Sequence, residues 1–216
     1  MGVKVPTPAE AERILAESAS VNPGPWVEHC HTAGACARAL AERHQDMDPD
    51  VAYVLGLLHD LGRRSSAAGI PDVMHILDGY RVLTALGYDD AARICLTHSF
   101  PIRNADVFAS PWVGPRGELH DEKRFVQSFL DGVEYTAYDR LIQLCDSLSL
   151  PSGPVLLEKR LVDVALRHGF NTHTVDKWRA FIAIKAEFDA ACGGSIYSVL
   201  DGVVQNTFGN ARIGPD

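Results

Sequence analysis

The sequence predicts an all-α protein. Helix-start signals recur along it, its apolar residues repeat at helical spacing, and neither an alternating strand pattern of useful length nor an internal repeat is present.

Taken in order, Thr7-Pro8-Ala9-Glu10 combines an N-cap threonine, proline at the first helical position and glutamate three residues after the cap. It opens a short helix to about Ser18. Asn22-Pro23-Gly24-Pro25 breaks the chain, and a second helix runs from about Trp26 to Arg43. Asp48-Pro49 repeats the cap-plus-proline signal and starts a third helix through Asp60, with Gly62 as its stop. Two further helices follow, about Pro71 to Leu86 and Asp89 to His98, separated by Gly87. From Ser99 to about Glu118 the chain turns loop-like, with Pro101, Pro111, Gly114, Pro115 and Gly117, and a stretch of that length without periodicity reads as a functional lid. Helices resume at His120 to Leu130, Glu134 to Leu150, Pro154 to Arg167 and Thr172 to Cys192, where Gly193-Gly194 stops the last of them. A final short helix from Ser195 to about Val204 precedes a polar tail.

With 216 residues, 46% of them hydrophobic, the chain fits one domain with a core that needs no covalent staples. A formal charge of -8 argues against nucleic acid or an anionic membrane as the main partner, so a small molecule is expected. The five cysteines, Cys30, Cys36, Cys95, Cys145 and Cys192, are odd in number and contain no C-x-x-C pair. That suits a reducing compartment better than a disulfide framework. No signal-peptide stretch and no run approaching roughly 18 apolar residues is present, so a cytoplasmic protein is expected. A homo-oligomer is compatible with this composition.

The pair His59-Asp60 closes the apolar run Tyr53-Val54-Leu55-Gly56-Leu57-Leu58 and is followed by Leu61-Gly62. A histidine and a carboxylate are poor packing choices there, because a buried carboxylate costs several kcal/mol unless it is paired. A divalent cation is the partner that also explains the histidine. Helical phase selects further candidates. From His29 the positions three and four apart are Ala33, Cys36, Ala37 and Leu40, an inward stripe, whereas from His31 they include Arg38 and Glu42. His75 shares its face with Gly79, Val82, Leu83 and Leu86, His98 with Cys95, Ile94 and Ala91, and Asp146 is flanked by Ile142 and Leu150. His31, His44, His120, His168 and His173 read as surface or loop residues, and Glu158-Lys159-Arg160 as an exposed face.

The order His29, His59-Asp60, Asp146, carried by Trp26-Val27-Glu28-His29, Leu57-Leu58-His59-Asp60-Leu61-Gly62 and Leu144-Cys145-Asp146, resembles the HD-domain superfamily of metal-dependent phosphohydrolases, of the HDIG type. The resemblance covers about residues 26–150 and implies a single HD-type helical bundle over 1–216, with C-terminal helices at 154–204. It further implies that His29, His59, Asp60 and Asp146 hold a divalent metal, and that His75 and His98 add a second ion which Asp60 bridges. Mixed imidazole and carboxylate ligation suits iron, manganese, nickel, cobalt or zinc. Such a centre generates hydroxide for attack on a phosphate ester, a phosphomonoester or phosphodiester such as a nucleotide. Asp60, Arg63 and Arg64 are then the expected catalytic residues, the arginines holding phosphate charge together with Arg103 on the loop. The same ligand order is similar to that of di-iron oxygenases acting on inositol or phosphonates. A regulatory HD module that only binds partners is the non-catalytic alternative.

Overall fold

The computed structural model describes residues 3–66, 70–108, 110–115 and 117–209. It is all-α. Ten helices lie among the described residues: α1 (Pro8–Val21), α2 (Trp26–Ala41), α3 (Pro49–Leu58), α4 (Met74–Ala85), α5 (Asp89–Thr97), α6 (His120–Gly132), α7 (Ala137–Asp146), α8 (Leu157–His168), α9 (Thr174–Ala191) and α10 (Val203–Phe208). Two antiparallel pairs of two-residue strands complete it, β1 (Val113–Gly114) with β2 (Gly117–Glu118) and β3 (Ser149–Leu150) with β4 (Gly153–Pro154). The caps read in the sequence form: Thr7 Oγ1 accepts from the Glu10 amide, and Asp48 Oδ1 accepts from the amides of Asp50 and Val51.

Several boundaries differ from expectation. The third helix ends at Leu58, and Leu61–Ser65 forms a separate 3₁₀ turn after Asp60 leaves helical geometry at φ -104°, ψ 16°. Gly62 is therefore no helix stop. It is the point where that turn touches α4, since a Cβ there would lie 1.9 Å from the His75 carbonyl oxygen and 2.4 Å from the Gly79 amide nitrogen. Gly56 plays the same part between α3 and α2, where a Cβ would sit 2.8 Å from the Ala33 carbonyl oxygen. The helix expected over Glu134 to Leu150 starts later, because Thr136 and Asp139 form a capping box, and ends at Asp146, because the chain turns into β3. Gly202 at φ 78° divides the last expected helix into a 3₁₀ turn, Ile196–Ser198, and α10.

The stretch expected as a lid contains a 3₁₀ turn, Ala105–Val107, and the β1–β2 hairpin, with Ala109 and Arg116 outside the described residues. Its first half is fastened. Phe100, Ala105, Val107 and Phe108 are buried in a second apolar cluster with α4 and α6, and the Phe100 and Pro101 carbonyls accept from Tyr135 Oη and Arg140. Burial of this kind makes the segment a wall, not a free flap.

The main apolar cluster draws on α1 to α5 and on α7 to α10. A polar hub ties α5 to α7: fully buried Asp139 accepts from Arg93, from Thr97 Oγ1 at 2.8 Å and from Thr136 Oγ1 at 2.7 Å. The hub was absent from the sequence reading, yet it fixes the relative position of the two helices that carry His98 and Asp146.

Because peptide atoms stand where a Gly62 side chain would go, Gly62→Ala is expected to cost about 3 kcal/mol or more, the upper end of overpacking penalties. Urea unfolding of the variant against the parent measures it, and an unchanged midpoint would contradict this account of the packing.

Candidate metal centre

Six polar side chains predicted from the sequence converge in one place. His29 comes from the first turn of α2, His59 and Asp60 follow α3, His75 lies in the first turn of α4, His98 follows α5, and Asp146 ends α7. All four histidines and Asp60 are buried, Asp60 with only 3% of its surface exposed. His31 stays half-exposed beside Glu12 and His120 lies out beside Glu118, so phase correctly separates His29 from His31.

The six arrange themselves around two poles. At the first, His29 Nε2 lies 3.2 Å from His59 Nε2 and 3.1 Å from Asp146 Oδ1, while His59 Nε2 is 3.6 Å from the same carboxylate oxygen. Asp60 Oδ2 stands 3.9 Å from both imidazole nitrogens. At the second, the other oxygen, Asp60 Oδ1, lies 3.1 Å from His75 Nε2 and 3.5 Å from His98 Nε2. His29, His59 and Asp146 could hold one ion, as could His59, Asp60 and His98.

The backbone settles which ring nitrogen faces inward. His29 Nδ1 donates to the Ser149 carbonyl at 3.2 Å, His59 Nδ1 to Gly56 at 2.7 Å, His98 Nδ1 to Ile94 at 3.2 Å, and His75 Nδ1 to Asp72. A carbonyl can only accept, so each Nδ1 carries a proton, and in the neutral ring each Nε2 presents a lone pair to the centre. Lone pairs of His29 and His59 facing each other at 3.2 Å repel unless a positive charge lies between them. Asp60 Oδ1 and His75 Nε2 are also sealed from solvent with no hydrogen-bond partner of adequate geometry among the described residues. A divalent cation answers both conditions, and the donor set fits it.

Electrostatics point the same way. Burial pushes the Asp60 carboxyl up, yet Arg63, His75 and His59 hold it well below the usual carboxylate range. His29 and His59 do the same for Asp146 against its own burial. Burial lowers His59, but Asp60 and Asp146 raise it above its ordinary value: positive charge is favoured at that spot. Burial and neighbouring His59 push His98 down to about 3, which leaves its Nε2 free to coordinate.

The arginines separate. Arg63 Nε donates to Asp60 Oδ2 and its Nη1 donates to Asp72 Oδ1 at 2.8 Å, so it buttresses a ligand while lining the adjoining cavity. Arg64 turns away from the cavity toward Ser18 Oγ of α1, at 3.4 Å, which corrects the expectation that it holds phosphate charge. Arg103 is likewise spent on the Val133 carbonyl, 2.9 Å away.

A cavity of about 670 Å³ opens onto His29, His75, His98 and Asp146. Its far wall comes from α8 and α9, including Arg160, Leu161, Lys177, Trp178 and Phe181. The sequence reading missed these, and it placed Arg160 on an exposed face, whereas its Nε is sealed from solvent. The C-terminal helices are fastened over the loop wall by Lys177 Nζ, which donates to the Val107 carbonyl at 3.2 Å, and by a Ser110 Oγ to His168 Nδ1 contact of 3.2 Å.

The family model described as HD domain matches residues 26–150, more than half of the chain. No curated protein and no solved structure gives a match. Among the described residues, no helix is long and apolar enough to cross a membrane.

If these side chains hold divalent ions, manganese or iron added to chelator-treated protein raises its melting temperature, ligand at 100 times Kd being worth about 2.7 kcal/mol. His75→Ala is expected to reduce the metal content found by elemental analysis, and equal melting with and without metal would refute the assignment.

Proposed function

The chain belongs to the HD-domain family, and on that premise we propose that it is a metal-dependent hydrolase of a small phosphate ester. The observation that carries this reading is Asp60, whose two oxygens face two separate histidine pairs beside a cavity of substrate size. His29, His59, Asp60 and Asp146 would hold one divalent ion, and Asp60, His75 and His98 a second. Bound there, such ions supply Lewis acidity and acidify water to a pKa of about 7.

The chain's own residues do the rest. Asp60 and Asp146 are ionised and ready as ligands, and the four backbone-anchored imidazoles keep their Nε2 atoms aimed inward without rearrangement. Arg63 fixes the Asp60 carboxylate and keeps a guanidinium edge on the cavity. Apolar Phe108, Leu161, Trp178 and Phe181 line the cavity and limit water in it. The natural substrate is a phosphorylated small molecule, a phosphomonoester or phosphodiester such as a nucleotide.

The complete six-residue set also supports a second reading, a di-iron oxygenase, because iron accepts the same ligands. Oxygen uptake by iron-loaded protein over phosphonate and polyol substrates separates the two readings. For the hydrolase, Asp60→Ala is expected to lower phosphate release from a phosphomonoester panel by at least about 100-fold and to lose bound metal. An undiminished rate in that variant would sink the proposal.

A further inference from the structure

The wall of the cavity opposite the metal ligands concentrates positive charge in a chain whose formal charge is -8. Its carboxylates are engaged: Asp72 pairs with Arg63 at 2.8 Å, Asp163 with Lys159 at 3.0 Å, and Asp146 meets His29 at 3.1 Å. Its cations on the C-terminal helices are not. Among the described residues neither Arg160 nor Lys177 makes a salt bridge, although both line the cavity and both are half-buried. Arg160 Nε has no hydrogen-bond partner among the described residues while sealed from solvent, and Lys177 Nζ makes one bond, to the Val107 carbonyl. An ammonium can donate three hydrogen bonds and a guanidinium five, so most of this donor capacity is unused.

We propose that Arg160 on α8 and Lys177 on α9 form an anion clamp that holds the phosphate group of the substrate against the metal centre. The clamp rests on the hydrolase reading for the identity of its anion. It lies outside residues 26–150, so nothing in the family match assigns it. A planar guanidinium offers paired donors to two phosphate oxygens, and the ammonium adds a compact charge from the neighbouring helix. Burial pushes the Lys177 ammonium down to about 8, with Asp146 acting against it. It is thus charged at neutral pH but poorly hydrated, the condition under which a cation binds an anion most strongly. Leu161, Trp178 and Phe181 beside it provide the low-dielectric surroundings.

The test titrates inorganic phosphate calorimetrically into the full chain, both chelator-treated and manganese-loaded. Arg160→Gln, Lys177→Gln and Arg179→Gln are measured in parallel, with circular dichroism and melting curves for each. Arg179 is the control, since it pairs with Asp176, neither residue lines the cavity, and its loss removes the same charge. The parent is expected to bind one phosphate per chain in both forms. Arg160→Gln and Lys177→Gln should each weaken that binding about tenfold or more, while Arg179→Gln leaves it within about twofold. If Arg160→Gln does not fold, Lys177→Gln decides. No phosphate binding by the parent, parental affinity in folded Lys177→Gln, or an equal loss in Arg179→Gln would each overturn the clamp. Should the parent take up no metal, the hydrolase reading falls while the chelated titration still decides the clamp.

Discussion

Asp60 carries its negative charge to a place almost closed to water, and the surrounding elements are arranged by what that charge requires. A carboxylate there is tolerable only with strong compensation. Arg63 supplies part of it from the 3₁₀ turn and is itself held by Asp72, whose backbone carbonyl in turn fixes the ring of His75. The circuit closes because His75 Nε2 faces Asp60 Oδ1. One buried charge thus accounts for an arginine, an aspartate, a histidine and the turn linking α3 to α4, and it leaves the two oxygens of Asp60 divided between the two histidine pairs.

Much of this was legible in the sequence, for a local reason. His29, His75, His98 and Asp146 lie in or beside helices whose apolar positions repeat at helical spacing, so phase alone places them inward, and it distinguishes His29 from His31 two residues away. What escaped depends on contacts between distant segments. Arg63 and Arg64 are adjacent, and their opposite destinations follow from the 3₁₀ turn that the chain makes after Asp60, which no pattern of neighbours signals. Arg160 sits in a charged triplet that reads as solvated, whereas the fold seals its Nε from solvent and places the residue on the cavity wall. The Thr136-to-Asp139 capping box is legible as a local pattern that moves the helix start past Glu134, whereas the hub that Asp139 forms with Thr97 depends on a contact between distant segments.

The cavity divides along the chain. Its metal-facing side comes from residues within 26–150, the stretch the family model matches, and its far wall comes from α8 and α9. Membership of the family therefore speaks to the ligands and is silent about the groups that would recognise a substrate. α8, α9 and the turn between them meet the loop wall through hydrogen bonds from Asn171 and Lys177 to the Asp106 and Val107 carbonyls and through the Ser110–His168 contact, while cavity-facing Leu161 and Phe181 also belong to the main apolar cluster.

The contact at Gly62 gives the centre a mechanical character. Where helices meet through interdigitating side chains, rotamer changes let them slide, but here peptide atoms of the 3₁₀ turn rest directly on peptide atoms of α4. The separation of Asp60 from His75 is accordingly as stiff as the backbone itself. The spacing between these two side chains is then set by a missing methyl group two residues from Asp60, at a position that offers no side-chain atom of its own.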